Sequence, residues 1–325
     1  MRNIDFLNRG FLMEIKKLNE YQENGTGASF ALIEKAEERT DKRGKTFVSL
    51  ILADQTNKID AKIWNATAED LQNYKKDKVV YFEGKKETFN GRPQMRLLNI
   101  RLATQEEPNN PQDYKVQSDV DTDIIRQEID QYVSIVQEDT WRNIVKNLLM
   151  KYDDKFYTYP AAKYHHHAFL GGLSLHTVSM LRLADGICDN YAIINRSLLY
   201  SGIILHDLGK VLELSGVDDT YYTLEGNLCG HIVLIDEEIV MMAKKLGYDL
   251  HSQEITLLKH MILAHHGKLE YGSPVRPQIV EAEVINHIDM LDATMQMLEQ
   301  SLLQTTSGEY SLPISGLDNR SFYKH

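Results

Sequence analysis

The feature that most limits the fold is a change of apolar period partway along the chain. Between residues 30 and 103 the apolar side chains fall in short, strand-like runs: SFALIEKAE, TFVSLILAD, KIDAKIW, KVVYFEGKKETF and PQMRLLNIRLA. These runs are rich in Val, Ile, Phe and Tyr, the residues that fit a pleated surface. Turn signals separate them at Lys42-Arg43-Gly44-Lys45, Asp54-Gln55-Thr56-Asn57 and Asn90-Gly91, the last a strong hairpin signal. One polar piece, residues 66–74, reads as a short helix between the third and fourth runs. After residue 118 the spacing becomes three and four, as in Ile124-Ile125, Ile129, Val133 and Val136. A period-2 pattern and a 3.6 pattern cannot share one face, so the chain carries two cores.

The expected fold is therefore multi-domain: an N-terminal all-β barrel and a C-terminal all-α domain. Five strands with one helix after the third describe an OB-fold, a small barrel that binds single-stranded nucleic acid on its face and loops. The expected boundaries are 1–103 for the barrel, 104–118 for a linker, 119–307 for the helical domain and 308–325 for an irregular tail. The linker, TQEEPNNPQDYKVQS, is polar, proline-containing and aperiodic.

Charge divides along the same line. The whole chain carries a formal −11. Residues 1–103 hold 19 Lys and Arg against 15 Asp and Glu, a net of +4; residues 104–325 hold 17 against 32, a net of −15. A mildly basic part beside a strongly acidic part fits a nucleic-acid grip joined to a cation-binding catalytic domain. No apolar run approaches the roughly 18 residues that a membrane span needs. The start, MRNIDFLNRGFLMEIKK, lacks the apolar core of a secretory leader. A cytoplasmic protein without a membrane partner is expected. Cys188 and Cys229 lie far apart, so neither a disulfide framework nor a thiolate metal site is indicated.

The chemistry lies in the histidines. There are twelve, and most fall in the second domain. His176 shares a helical face with Leu173, Met180, Ala184 and Ile187. His206-Asp207 closes the apolar run LLYSGIILHDLGK. His231 opens GHIVLIDEEIVMMAKKL, and His265-His266 ends LLKHMILAHHG. Asp289 stands in EAEVINHIDMLDATM, on the face of Ala282, Ile285 and Ala293. A single buried histidine is ordinarily a satisfied core residue. Five helices that each turn a His or Asp inward near one end are different, because burying that many ionisable groups without partners is costly. A cation supplies the partners, and imidazole with carboxylate suits Mn, Fe, Co, Zn or Ni rather than Ca. The two oxygens of one Asp can bridge two cations, which gives a two-metal site of the kind that cleaves phosphoesters.

The order His176, His206-Asp207, Asp289 resembles the H…HD…D signature of the HD superfamily of metal phosphohydrolases. The blocks GGLSLHT, LHDLGKVLEL, EGNLCGHI, AHHGKLEYGSPVRP and EAEVINHIDMLDA are similar to those of the YhaM family of 3′→5′ exoribonucleases, over roughly residues 10–305. That family also places an OB-fold ahead of its HD domain. The resemblance implies that His176, His206, Asp207 and Asp289 hold a first metal and that Asp207 bridges to a second. His231 and His265 would complete the second site, with His266 beside them and the choice between those two open. Asp289 is preferred to Asp292 because it stands four before Ala293, as in the family's D-x-x-x-A. Lys210 becomes a candidate to neutralise a substrate phosphate, beside Asp207 and His206 as catalytic residues. Manganese is the first choice of cation.

The same resemblance favours single-stranded RNA as substrate, with single-stranded DNA second and 5′-nucleotides as products; assembly through the helical faces into a homo-oligomer is expected. Two rivals are an HD phosphodiesterase or nucleotidase acting on small or cyclic nucleotides, and a replication-associated single-strand-binding factor. A strand-binding module argues against the first, and a full ligand set against the second. On the barrel the candidate contacts are Lys42, Arg43, Lys45, Lys62, Arg92 and Arg96 with Phe47, Trp64, Tyr81 and Phe89; the loop cations come first, and half of those aromatics are expected inside the barrel. The triple His165-His166-His167 cannot serve one site, since successive helix residues diverge. His251, His260 and His287 are expected to be structural or exposed.

Overall fold

The computed structural model describes residues 14–89, 92–114, 121–161, 170–216 and 220–325, and the side chain of Arg92 is not among them. The Asn90-Gly91 turn and the triple histidine also lie outside the described residues. The chain divides into two compact units, Met1–Val116 and Gln117–His325.

The first unit is a closed barrel in the order β1-β2-β3-β5-β4. β1 (Thr26–Thr40) pairs antiparallel with both β2 (Thr46–Ala53) and β4 (Val79–Phe89). β3 (Lys58–Ile63) pairs antiparallel with β2, and β5 (Arg92–Leu102) pairs antiparallel with β4. The short parallel pairing of β3 with β5, at Asp60↔Gln94 and Ala61↔Met95, closes the barrel. Helix α1 (Ala68–Asn73) follows β3, started by a reciprocal cap between Thr67 and Asp70. Alternation sends Val48, Leu50 and Leu52 of β2, and Val80 and Phe82 of β4, inward.

Residues 104–114, expected as linker, pack against this barrel instead. Tyr114 is buried against Leu32 and Val79, and its hydroxyl donates to the Pro108 carbonyl at 2.7 Å. Glu107 forms a two-pronged pair with Arg101 at 2.6 and 2.7 Å.

The second unit is all α: α2 (Thr122–Ser134), α3 (Asp139–Lys151), α4 (Asp153–Phe156), α5 (Gly172–Asn190), α6 (Arg196–Leu205), α7 (Lys210–Glu213), α8 (Leu224–Lys245), α9 (Gln253–Ala264) and α10 (Val280–Leu303). Among the described residues no helix is long and apolar enough to cross a membrane. α6 is the central helix. Every residue from Leu198 to Leu205 is buried, which is why LLYSGIIL is apolar all round rather than on one stripe. It packs against α3, α5, α9 and α10. Helix starts are fixed by side-chain caps, Asn195 for α6, Thr223 for α8 and Ser252 for α9.

The tail, expected to be irregular, turns back on itself. Tyr310 bridges Tyr323, Ile314 bridges Arg320, and Leu317 is buried. Both cysteines are free, Cys188 buried and Cys229 exposed.

Candidate active site

The central helix ends at its most polar residues. His206 is the C-cap of α6, and His265 is the C-cap of α9. A helix end leaves its last carbonyls without intrahelical donors. Here each imidazole fills that need: His206 Nδ1 donates to Ile203 O, and His265 Nδ1 to Ile262 O, both at 2.7 Å. A carbonyl can only accept, so Nδ1 carries the proton and Nε2 presents its lone pair. His266 follows the same rule with Tyr271 O at 2.8 Å. For His206 and His265 the apolar run sets the helix and the helix end sets the tautomer; for His266 a carbonyl of the following loop sets it.

The remaining two imidazoles are oriented by carboxylates. His176 Nδ1 lies 2.7 Å from Asp292 Oδ2, and Ser179 donates to the other oxygen of Asp292. His231 starts the second segment of α8, past a break at Gly230 whose φ of 74° is open to glycine and costly to most residues. Its backbone N–H and its Nδ1 both point to Glu213 Oε1, at 3.1 and 3.2 Å. A carboxylate behind an imidazole is the usual way a metal-binding histidine is held and made more basic. α7 reaches α8 this closely because Gly209 lacks a side chain: a Cβ there would sit 2.2 Å from the His231 carbonyl oxygen.

Asp207 stands at the centre. Its Oδ2 lies 3.3 Å from His206 Nε2 and 3.8 Å from His176 Nε2; its Oδ1 lies 3.3 Å from His231 Nε2. Asp289 Oδ1 is 3.3 Å from His176 Nε2. Ligand atoms of His176, His206 and Asp207 fall within 4.8 Å of one another, and so do those of His231, His265 and His266. One carboxylate thus turns one oxygen to each of two donor groups. The rings run on continuously, His206 to His265 at 5.1 Å and His265 to His266 at 4.2 Å.

The residues fit a pair of cations. His206 Nε2, Asp207 Oδ1, His231 Nε2 and His265 Nε2 are buried without hydrogen-bond partners. Leaving four such atoms together would cost on the order of 1–3 kcal/mol each. The charge state points the same way. Burial opposes an imidazolium at His176, yet Asp289 and Asp292 outweigh it and push its pKa up to about 9. Burial also opposes charge on Asp207, but Lys210, His206 and His231 hold its carboxyl well below the usual range. Lys210 Nζ is 2.5 Å from Asp207 Oδ2, which keeps the lysine protonated despite its burial. The carboxylates gather positive charge from whatever donor is near. In the other group burial, then neighbouring His266 and His206, hold His265 well below its ordinary value, neutral and ready to ligate.

The structure brings together His176, His206, Asp207, Lys210, His231, His265, His266 and Asp289. Asp292 stands behind His176 on the side away from Asp207, while Asp289 shares the Nε2 side with it. His251 and His287 are exposed, and His260 Nε2 accepts from Gln278 N at 3.0 Å. Glu213 escaped the sequence reading, and Asp292 was weighed there only as a rival of Asp289 for the ligand position. The signal for Glu213 was its position three after Lys210 in LHDLGKVLEL.

On the barrel, Phe47 and Trp64 lie with ring centroids 4.8 Å apart, tilted by 33°. Lys62 Nζ sits 5.4 Å from the Trp64 ring and 5.4 Å from the Phe89 ring. Trp64 is 56% exposed and Phe89 55%. This strip crosses β2, the end of β3 and the end of β4. Lys42, Arg43 and Lys45 are exposed on the β1–β2 turn, whose backbone is held by Asp41. Arg96 is exposed on β5, in register with Lys85. Tyr81 belongs elsewhere, edge-on to Phe30 at 5.3 Å and under the Arg101 guanidinium at 4.5 Å. None of the four aromatics fills the core as expected; among the described residues Phe82 and Tyr21 lie in the main barrel core.

A nucleic-acid-binding barrel followed by an H…HD…D cluster defines a class, the HD-type metal-dependent phosphohydrolases equipped with a strand-binding module. The HD domain family matches residues 173–294, and the OB-fold nucleic acid binding domain family matches residues 32–103. An HD domain binds divalent metal. The 3′-5′ exoribonuclease YhaM of Listeria innocua serovar 6a is 43% identical over 95% of this chain and 98% of its own. That of Bacillus pumilus is 45% identical over 86% of this chain and 89% of its own. The chain belongs to the YhaM family of 3′-5′ exoribonucleases. Among solved structures, the second OB-fold domain of replication protein A from Methanococcus maripaludis aligns with 28% of this chain and 97% of that one, at 23% identity and a TM-score of 0.24.

Proposed function

We propose that this chain shortens single-stranded RNA from its 3′ end, releasing 5′-nucleotides, with single-stranded DNA as a secondary substrate. One observation supports it most: the two oxygens of Asp207 face the Nε2 atoms of His206 and His231, each buried without a hydrogen-bond partner. His176, His206, Asp207 and Asp289 would hold one cation; Asp207, His231 and His265, with His266, the other. Manganese is the proposed ion. Two divalent ions supply charge neutralisation at the scissile phosphodiester and a lowered pKa for the attacking water.

The protein's own part is orientation. Asp292 and Glu213 hold His176 and His231, and backbone carbonyls hold His206, His265 and His266, so no ligand has to rearrange as substrate arrives. Lys210 keeps a positive charge within the cluster, where it can meet a non-bridging phosphate oxygen. No side chain need act as nucleophile. The barrel strip of Phe47, Trp64, Lys62 and Phe89 would stack bases and track the backbone, with Lys42, Arg43, Lys45, Arg92 and Arg96 adding charge. The acidic helical domain alone would repel such a strand. The same proposal includes a cytoplasmic site of action and a homo-oligomeric state, which light scattering of the purified protein tests.

The direct test is RNA labelled at either end, incubated with protein and Mn²⁺. Loss of a 3′ label as mononucleotide, abolished in a folded Asp207→Ala protein, is the expected result. Strand binding without cleavage under any divalent metal would overturn the reading.

A further inference from the structure

We infer that Tyr271, with Lys268 beside it, is the shelf on which the base of the RNA's 3′-terminal nucleotide stacks, an inference that rests on the exoribonuclease reading above. The loop between α9 and α10 leaves the candidate site directly. Gly267 turns it with φ +75°, Leu269–Tyr271 form a single tight turn, and Gly272 turns it again with φ +94°. Within this loop the Tyr271 carbonyl accepts from His266 Nδ1 at 2.8 Å. The Tyr271 N–H donates to the Lys268 carbonyl at 3.1 Å. The backbone of Tyr271 is thereby fixed one imidazole width from the donor atoms of the second cation group. Its ring is 58% exposed, and Lys268 Nζ lies 5.4 Å from the ring centroid.

A large ring left in water on an anchored backbone has little structural return. The exposed aromatics of the tail differ, since Tyr310 and Tyr323 lie against each other at 5.3 Å. An exposed ring beside a cation, next to a phosphodiester site, matches the needs of one nucleotide: a π-face for the base and a positive charge for phosphate. Stacking also suits an enzyme that removes residues in succession, because every base offers a π-face whatever its identity. Tyr271 would set the terminal residue in register with the site.

The test compares wild type, Tyr271→Ala and Tyr271→Phe, all loaded with Mn²⁺, on RNA with an intact 3′ end and on RNA whose terminal nucleotide lacks its base. Tyr271→Ala is expected to lower kcat/KM on intact RNA by about tenfold to a hundredfold, and Tyr271→Phe to restore most of it. Removing the base should cost wild type a similar factor and cost Tyr271→Ala nothing more. The inference is overturned if Tyr271→Ala matches wild type on intact RNA, if the penalty follows the penultimate base instead, or if hydrolysis of bis(p-nitrophenyl) phosphate falls equally, which would mean only that His266 was disturbed. Should wild type cut no RNA, the exoribonuclease reading has failed, and calorimetry judges the shelf separately. Adenosine 5′-monophosphate must then bind wild type more tightly than ribose 5-phosphate does, and Tyr271→Ala must not distinguish them; equal binding to wild type would overturn the shelf.

Discussion

The helical site and the barrel face hold their polar side chains in opposite ways. In the helical unit each imidazole of the cluster has its Nδ1 committed to a partner, a backbone carbonyl for three and a carboxylate for two. On the barrel, Lys62 and Trp64 meet only through a cation–π approach of 5.4 Å, on a face more than half exposed at Trp64. A cation site tolerates ligand errors of a few tenths of an ångström, so its ligands need fixed tautomers and fixed rings. A strand grip must accept any base in many registers, so loose stacking is an advantage there. Rigidity is concentrated where the chemistry is.

The largest expected effect separates the two regions outright. In Gly209→Ala the new methyl meets the His231 carbonyl oxygen at 2.2 Å. α7 and α8 must then part, carrying Glu213 and His231 with them. Bound manganese and RNA shortening should both be lost, while RNA binding measured by fluorescence anisotropy persists through the barrel. Loss of RNA binding to the same extent would break the division.

The next effect tests the partners behind the ligands. Removing a carboxylate that orients a metal-bound imidazole weakens metal affinity or activity by roughly 10- to 100-fold. Glu213→Ala and Asp292→Ala should each fall in that range, with activity recovering as Mn²⁺ is raised. Failure of added metal to restore activity would show that these carboxylates serve folding rather than ligand orientation.

The inward placement of the candidate ligands was legible in the sequence, and the carboxylates behind them were not, for a physical reason. His206-Asp207, His231 and His265 end or begin an apolar helical pattern, and His176 and Asp289 fall on the apolar face of one, so local period alone turns them inward. Glu213 acts on His231 across the packing of α7 on α8, and Asp292 acts on His176 across α10 and α5. No local pattern encodes such contacts. The barrel fold followed from five strand-like runs and one helix, but the fate of each aromatic depended on closure. Phe82 went inside while Phe47 and Trp64 met on the outside. Residues 104–114 and the tail lack periodicity, and a few scattered contacts, Tyr114 and Glu107 in the one and Leu317 in the other, tie them down.

On the barrel itself Trp64→Ala should raise KM for long RNA by about tenfold, since stacking on one ring is worth roughly 1–3 kcal/mol per base. Hydrolysis of bis(p-nitrophenyl) phosphate should be unchanged. A drop on both substrates would mean that the strip supports the fold, and the contrast between a rigid site and a soft grip would lose its second half.

The smallest effect concerns a barrel cation that is fixed in the manner of the helical site. Arg101 is clamped by both oxygens of Glu107, which also accepts from the Thr104 N–H at 2.8 Å. Arg101 chiefly, with Thr104, holds the Glu107 carboxyl down at about 2, against an ordinary 4.5. A depressed carboxyl stabilises the fold above its ordinary pKa and loses that contribution as pH falls through the folded value. Glu107→Gln should therefore lower barrel stability by about 1 kcal/mol or less at neutral pH, the usual scale for a partly exposed pair. The gap from wild type in urea unfolding should shrink between pH 4.5 and about 2, while RNA affinity at neutral pH stays constant. A change in RNA affinity would instead place Arg101 in the grip. A fixed cation would then serve the strand as well as the loose one does, and softness would cease to be what distinguishes this face from the metal site.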